Sequence, residues 1–299
     1  KKLIKKLSPF FKINSLQKPE TNNITAQLKI VLDNSNPSKA LNSLQKLETV
    51  LKALPSNVLV DSAIFPQLQN EIQKIRWQKD CLKFWPRFQS EISKLHIKLF
   101  PYQKEGVHKA LSAGRFIIAD EMGLGKTVQG IAWAEALLRS NAAKKIMVVC
   151  PNALKFQWQR EWLKTSGRKI CLVEGSPEIR QKIYESTEAV LIINYELLLR
   201  DLSLIEKSGF DAIILDEAQR IKNYMTKTSQ YVKSLEPKFR LILTGTPMEN
   251  RILELCSLVD WIDNRAMPPT WSLNARLSLE GDGEGFGIKG LGGIGILRT

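Results

Sequence analysis

The sequence predicts an α/β fold in which a mostly parallel sheet is flanked by helices, with a small helical domain before it. From residue 99 onward, short apolar strand candidates alternate with segments long enough for helices, a pattern typical of a parallel sheet covered on both faces. The motif DEMGLGKT at 120–127 directly follows the first strand candidate. Ligands bind such sheets at the carboxyl ends of the strands, so this motif marks a candidate site.

The strand candidates are six short apolar runs: 116–119, 146–150, 170–173, 190–194, 212–215 and 241–243. Residues 1–98 are predicted to be helical, because leucines at 41, 44, 47, 51 and 54 recur at helical spacing. A second helix begins near Pro66, and Pro86 is expected to kink or end it. The aromatic residues of this stretch could stack on bases, but their spacing favours packing between helices; they are Trp77, Phe84, Trp85 and Phe88.

Composition excludes several classes of protein. No apolar run approaches the ~20 residues of a membrane span, and no signal peptide is recognisable. The four cysteines are far apart and form no C-x-x-C pair, so neither zinc nor a disulfide framework is expected and the protein is predicted to be intracellular.

The positive charge is concentrated at the start of the chain. The net charge is +14, and residues 1–98 carry 17 Lys or Arg against 7 Asp or Glu. Such an excess favours nucleic acid as a partner, although lysines scattered on helices also occur as a solvated face. Residues 280–299 contain 8 glycines, which predicts a flexible tail.

The break at 120–127 has the composition of a phosphate-binding turn. Gly123 and Gly125 allow successive N–H groups to point at an anion beside the start of a helix. Lys126 supplies charge for the outer phosphates, and Thr127 supplies a hydroxyl for magnesium. The first position of the usual G-x-x-x-x-G-K-[ST] pattern is Asp120, so a turn with a solvated lysine is the alternative for this segment alone.

Two further strand ends carry polar residues. In DAIILDEAQRIKN, Asp216 is predicted to hold magnesium and Glu217 to activate a water molecule, although acidic pairs also cap helices. In LILTGTPMENR, Thr244, Gly245 and Thr246 are predicted to lie beside the nucleotide and to sense its γ-phosphate. An ordinary Gly-Thr-Pro turn is the alternative for this third segment.

These segments occur in an order that resembles a known family. LFPYQKEGV, ADEMGLGKT, VVCPNALKFQWQREW, DEAQRIKN and LTGTPMENR follow one another within about 99–262. Together they resemble the first RecA-like P-loop NTPase lobe of superfamily 2 helicases, and within them the Swi/Snf-type DNA translocases. ADEMGLGKT is similar to that family's own form of the phosphate loop, which makes Asp120 a variant of the pattern.

The resemblance implies roles for further residues. Gln103 would recognise adenine, Asp120 and Leu124 would belong to the nucleotide-binding loop, and Gln219 would couple hydrolysis to movement at a position where much of the family has histidine. The segment 148–162 would face the nucleic-acid backbone, with Pro151, Asn152, Gln157 and Trp158 as the contacting residues.

The resemblance also implies an activity: ATP hydrolysis with Mg²⁺, coupled to translocation on double-stranded DNA. The expected domains are a basic helical domain at 1–98, a RecA-like ATP-binding lobe at 99–268 and a Gly-rich flexible tail at 269–299. Because nothing after residue 262 resembles the family's second RecA-like lobe, the chain is expected to be truncated before it and to turn over slowly. The alternatives are a nucleotide-gated DNA- or protein-binding module without turnover and an RNA helicase of the same superfamily.

Overall fold

The structure is a computed structural model that describes residues 37–52, 64–221, 223, 226–245, 252–263 and 295–297. The chain divides into two compact units, 1–83 and 84–299. This division falls before the predicted domain boundary at residue 98, because segment 84–98 packs within the second unit. For example, the His96 N–H donates a hydrogen bond to the Thr165 carbonyl at 2.9 Å.

The first unit contains helix α1, Pro37–Lys52, and the beginning of helix α2, Ile64–Ser93. Gln69 Nε2 of α2 donates to Glu48 Oε1 of α1 at 2.6 Å. Apolar side chains are buried on both helices, namely Leu44, Leu47, Leu51, Leu68, Ile72 and Trp77. Of the five periodic leucines, Leu44, Leu47 and Leu51 are buried on the predicted helix, Leu41 is partly exposed and Leu54 lies outside the described residues.

Pro86 does not end α2, which contains it and continues to Ser93. A proline removes one backbone hydrogen bond, and local packing around it opposes that loss: the fully buried ring of Phe88 stacks on Phe84 at a centroid distance of 5.8 Å. Phe88 is therefore buried, and the partly exposed Trp85 packs edge-on against His108 of a neighbouring helix at a centroid distance of 4.8 Å, in agreement with the predicted packing between helices.

The second unit is built on a parallel sheet, which confirms the predicted fold class. The strands are β1 Arg115–Ile118, β2 Ile146–Cys150, β3 Cys171–Leu172, β4 Val190–Asn194, β5 Ala212–Asp216, β6 Phe239–Leu243 and β7 Gly295–Leu297. Their spatial order is β3-β4-β2-β5-β6-β1-β7, and every pair is parallel. All six predicted strands are present, and β2, β5 and β6 are buried along their whole length.

Helices connect the strands on both faces of the sheet. They are α3 Pro101–Ala113, α4 Lys126–Arg139, α5 Lys155–Ser166, α6 Pro177–Glu185, α7 Tyr195–Arg200, α8 Leu202–Ser208, α9 Lys227–Ser234 and α10 Ile252–Ile262, with short 3₁₀ turns at Asn152–Leu154 and Ala218–Ile221. Residues of α6–α10 share one hydrophobic core with the sheet, while α4 packs against α3 and α5.

The ends of several helices follow from local sequence. Gly114 and Gly167, at φ 70° and 74°, end α3 and α5 in the left-handed conformation that glycine adopts at little cost. The side chains of Asn194 and Thr226 cap α7 and α9 by accepting N–H bonds from the first turns.

Three neighbouring strands bring the predicted site together. In the order β5-β6-β1, Asp216 pairs with Leu243, and Leu243 pairs with Ile118. The carboxyl ends of the three strands are therefore level, so the segments that follow them meet at one edge of the sheet.

Within the predicted tail, the structure describes only β7, which pairs with β1 through Gly295 and Phe116. The remainder of 269–299 lies outside the described residues, as do residues 1–36, Thr246 and the side chain of Cys256. Among the helices that the structure describes, none is long and apolar enough to cross a membrane. Cys81, Cys150 and Cys171 carry free thiols.

Candidate functional site

The loop between β1 and α4 has the backbone geometry that the sequence predicts. Gly123 and Gly125 have φ values of 87° and 73°, a region that residues with a side chain rarely adopt. Gly125 is the N-cap of α4, and a β-carbon there would lie 2.5 Å from Gln103 Nε2. The loop thus needs glycine at 125 for its conformation, while a β-carbon there would displace only the end of the flexible Gln103 side chain. The loop also places free N–H groups at the start of a helix.

Lys126 lies over this loop. Its ammonium group donates to the carbonyl oxygens of Asp120 at 2.9 Å and Glu121 at 2.8 Å, and the residue is partly exposed. Its positive charge also lowers the pKa of Asp216, although by less than burial raises it. The lysine of the first motif and the aspartate of the second are therefore electrostatically coupled.

Asp120 anchors the loop from inside the protein. Its carboxylate is fully buried, and Oδ2 accepts a 2.7 Å hydrogen bond from Nε2 of Gln129, which is also fully buried. Asp120, which occupies the position of the usual glycine, therefore stabilises the loop through its bond to Gln129. The role of Asp120 in nucleotide binding stays a prediction.

Gln103 is placed against the same loop. Nε2 donates to the Leu124 carbonyl at 3.1 Å, while Oε1 accepts from the Phe100 N–H at 3.0 Å. Tyr102 Oη also donates to the Leu124 carbonyl, at 3.2 Å. Gln103 therefore joins the first turn of α3 to the phosphate loop, and its contact with adenine stays a prediction.

Asp216 ends β5 as a buried carboxylate held from two sides. Oδ2 accepts from Trp158 Nε1 at 2.7 Å, and Oδ1 accepts from the Glu217 N–H at 2.9 Å. Burial raises the pKa of Asp216 to about 6, and the neighbouring Glu217 charge adds to this, against the lowering effect of the Trp158 hydrogen bond. The Asp216 carbonyl accepts from Tyr195 Oη at 2.8 Å.

Glu217 adopts a strained backbone conformation at the end of the strand. Its φ of 48° is unusual for a residue with a side chain, and such strain occurs most often at functional sites. Oε2 accepts from Gln219 Nε2 at 2.7 Å. The two residues predicted to act on water and on coupling therefore contact each other directly.

The segment after β6 lies between the phosphate loop, which follows β1, and the acidic pair, which follows β5. Thr244 is fully buried, and its N–H donates to the Ile118 carbonyl at 3.1 Å. A β-carbon at Gly245 would lie 3.7 Å from Lys126 Nζ and 3.1 Å from Met122 Cγ. Gly245 thus adjoins the lysine, whereas Thr246 lies outside the described residues, and the sensing of a γ-phosphate by this turn stays a prediction.

The segment after β2 provides both surface and interior residues. Asn152 and Gln157 are exposed, Pro151 is partly exposed, and Asn152 Oδ1 accepts from Asn194 Nδ2 at 3.0 Å. Trp158 differs from expectation, because only 1% of it is exposed and its indole points at Asp216. It therefore has no surface to offer a nucleic-acid backbone.

The donor set at this edge fits one kind of metal. In the part of the chain that the structure describes, no three His, Cys, Asp or Glu side chains converge into a metal site. Asp216 and the partly exposed Thr127 offer one carboxylate and one hydroxyl. Mg²⁺ is bound in this way by one or two protein groups together with substrate phosphates, so the residues fit magnesium that arrives with a nucleotide.

Sequence reasoning missed two supports of this site. Gln129 could have been found, because it is a polar residue within the buried run of α4. Tyr195 gives no local signal, since its bond to the Asp216 carbonyl joins residues 21 positions apart.

A phosphate loop after β1 and an acidic pair after β5 of a parallel sheet define the class as a RecA-like P-loop NTPase lobe. A model of the SNF2-related domain matches residues 77–269. The chain therefore belongs to the SNF2-related domain family, which confirms the Swi/Snf-type resemblance.

Similar proteins agree with this assignment. Human DNA repair and recombination protein RAD54B is 37% identical over 183 residues, covering 55% of this chain and 20% of that protein. An uncharacterized ATP-dependent helicase of Mycoplasma pneumoniae is 37% identical over 168 residues, covering 54% of this chain and 16% of that protein. The chain thus spans about a fifth or less of either relative's length.

A solved structure has the same fold. The Sulfolobus solfataricus SWI2/SNF2 ATPase core in complex with dsDNA superimposes with a TM-score of 0.62 at 28% identity. The match covers 69% of this chain and 45% of that core.

Proposed function

We propose that this chain is the ATP-binding lobe of a DNA-dependent ATPase that couples hydrolysis to translocation on double-stranded DNA. The observation that carries the proposal is that Lys126, Asp216 and Glu217 lie at the same edge of the sheet, after the carboxyl ends of β1 and β5 on either side of β6. Phosphoryl transfer needs this combination, because catalysis rests on positioning and on stabilising charge.

Each residue has a distinct part in the proposed reaction. The loop N–H groups and Lys126 bind the phosphates, and Lys126 exchanges its two carbonyl partners for phosphate oxygens. Thr127 and Asp216 hold Mg²⁺, which neutralises charge on the phosphate oxygens when bound. Glu217 accepts a proton from the attacking water, and Gln219 orients the Glu217 carboxylate.

Nucleic-acid binding is supported from outside the nucleotide site. The solved structure with the same fold is a complex with dsDNA, and the exposed Asn152 and Gln157 lie beside the carboxyl end of β2. We therefore propose duplex DNA as the partner. RNA is the alternative, and competition between duplex DNA and RNA for binding would distinguish the two.

A nucleotide-gated module without turnover is the second candidate function. The observation that favours it is the length of the match, because the chain corresponds to 45% of the solved ATPase core. In phosphoryl-transfer systems an arginine from a second element contributes about 10³–10⁵ to the rate. If the family's second lobe supplies such a group, this chain alone binds ATP and turns over slowly.

Nucleotide binding is the first test. We expect the chain to bind a fluorescent, non-hydrolysable ATP analogue in the presence of Mg²⁺, and Lys126→Ala to lose about 100-fold in affinity while remaining folded. Lys144→Ala is the matched control, since its side chain is exposed on the loop before β2. Equal affinity in the wild type and Lys126→Ala would remove the assignment of the phosphate loop.

Steady-state hydrolysis then separates the candidate functions. Phosphate release is measured at low salt without nucleic acid and with duplex DNA, single-stranded DNA or RNA, with Lys126→Ala as the blank. Stimulation by duplex DNA supports the translocase, and stimulation by RNA alone contradicts it. Binding without turnover in every arm supports the nucleotide-gated module.

A further inference from the structure

Trp158 and Trp162 lie one turn apart on α5 and make chemically equivalent bonds. Each indole is at most 1% exposed, and each Nε1 donates a 2.7 Å hydrogen bond to a buried carboxylate. The acceptor of Trp158 is Asp216, at the proposed magnesium site, whereas that of Trp162 is Glu135 in the middle of α4.

We infer that Trp158 is a positioning residue that fixes the Asp216 carboxylate in the orientation that binds magnesium. This inference rests on the proposed function, because it assigns a role at the same site. Trp158, which lies on α5, would then belong to the site together with the phosphate loop and the acidic pair.

The geometry explains why a second bond is needed. The Glu217 N–H bond to Oδ1 comes from the adjacent residue, so it moves with the strand end. The Trp158 bond reaches Oδ2 from α5, a separate element. Together the two bonds fix the plane of the carboxylate, and each oxygen keeps a lone pair for a metal. Groups that orient a metal ligand in this way typically change metal affinity 10–100-fold when removed.

The neighbouring helix makes room for this indole. A β-carbon at Gly130 on α4 would lie 3.2 Å from Trp158 Cη2 and 3.1 Å from Leu243 Cδ1. A helix interior normally disfavours glycine relative to alanine. The absence of a side chain at 130 therefore has a packing reason, since it lets the indole lie between α4 and the end of β5.

The test compares Trp158→Phe with Trp162→Phe, which removes the same N–H group one turn away. The fluorescent ATP analogue is titrated with Mg²⁺, and binding in EDTA is measured as the metal-free reference. In Trp158→Phe, we expect the Mg²⁺ concentration for half-maximal binding to rise about tenfold, with binding in EDTA unchanged. Trp162→Phe should lower the unfolding temperature and leave the Mg²⁺ midpoint at the wild-type value.

A second variant keeps the test decisive if Trp158→Phe does not fold. Trp158→Met fills the space with a flexible apolar side chain that also lacks the N–H donor, so the Mg²⁺ midpoint should rise by about the same factor. A wild-type midpoint in Trp158→Phe, or in Trp158→Met where the first variant fails to fold, overturns the inference. So does an equal shift in Trp162→Phe. Failure of the wild type itself to bind the analogue with Mg²⁺ overturns both the inference and the proposed function.

Discussion

Gln129 donates a hydrogen bond to Asp120 across 2.7 Å, and neither side chain is exposed to solvent. The bond ties the first residue of the phosphate loop to the second turn of α4. The loop therefore depends on a polar contact inside the protein as well as on its glycines.

Removal of either partner should weaken both the fold and the site. We expect Asp120→Ala to lower the free energy of unfolding by about 1–3 kcal/mol, because the buried Gln129 amide loses its partner. Nucleotide affinity should also fall, because the loop is no longer held. Urea denaturation and analogue titration measure the two effects.

A double-mutant cycle checks the cause. Because the two residues share one bond, Asp120→Ala combined with Gln129→Ala should cost less than the sum of the single changes. Glu121→Ala is the surface control, since the residue is exposed in the same loop. Additive losses would contradict a direct coupling between Asp120 and Gln129.

Local patterns in the sequence were sufficient to predict six of the seven strands and the segments that meet at the candidate site, whereas β7 lies in the stretch predicted to be a flexible tail. Gly123, Gly125 and Lys126 lie within four positions of one another, and Asp216 directly ends an apolar run. The chemistry of each segment can therefore be predicted from its own short stretch of sequence. The fold then brings the two segments together, because β5, β6 and β1 are adjacent.

The supports of the site depend on tertiary packing, which local patterns do not reveal. Trp158 and Asp216 are 58 positions apart, so their bond could not be inferred without knowing how α5 crosses the sheet. Pro86 shows the same limit. The sequence predicts a kink or an end of the helix there, whereas α2 continues past Pro86, where Phe88 is buried.

Asp216→Asn should remove one pH dependence of the stability in the absence of metal. Burial raises the pKa of Asp216 to about 6 from 3.8, so between these values the folded state binds a proton that the unfolded state has released. The carboxylate therefore reduces stability as pH rises from about 4 to about 6, by up to about 3 kcal/mol above that range. Asparagine removes this pH-dependent cost, but it has one oxygen for two donors, so either the Trp158 Nε1–H or the Glu217 N–H loses its acceptor.

Urea denaturation in EDTA measures the effect. The stability of the variant relative to the wild type should rise as the pH is raised from about 4 to about 7.5, by up to about 3 kcal/mol. The control is Asp211→Ala at the other end of the strand, which removes the acceptor of the Lys144 and Lys145 N–H bonds; it should be destabilising. A difference between Asp216→Asn and the wild type that does not change with pH would contradict the raised pKa of Asp216.

Glu135 should show the opposite pH dependence. This fully buried carboxylate accepts from Arg168 Nε and Trp162 Nε1 at 2.7 Å and from Arg139 Nε at 2.8 Å. Burial alone would raise the pKa of Glu135, but these bonds, led by Arg168, outweigh it and hold the pKa below 4.5. The ionised group thus contributes stability above about pH 4.5, which is lost as the pH falls through the lowered pKa.

Glu135→Gln isolates this contribution from other carboxylates. We expect Glu135→Gln to be about 2 kcal/mol less stable than the wild type at neutral pH. This loss is smaller than the loss for a fully buried ion pair, because both arginines keep partial solvent contact. The difference from the wild type should narrow as the pH is lowered toward about 3.5 in urea denaturation. A constant difference across this range would contradict the lowered pKa.

Glu217→Gln should separate binding from hydrolysis. The amide cannot accept the proton of the attacking water, and loss of a general base typically costs about 10²–10⁴ in rate. Because Lys126, Thr127 and Asp216 are unchanged, affinity for the Mg²⁺-bound ATP analogue should stay within about twofold of the wild type. Parallel measurements of analogue binding and of phosphate release with saturating duplex DNA give the two values.

Glu196→Gln is the matched control, because Glu196 is an exposed carboxylate that pairs with Arg220 at 3.0 Å beside the same site. It should leave both binding and hydrolysis near the wild-type values. If Glu217→Gln lowers affinity as much as Lys126→Ala, the carboxylate contributes to nucleotide binding instead. If phosphate release by Glu217→Gln equals that of the wild type, the base is another group, and the strained backbone at φ 48° has a structural cause.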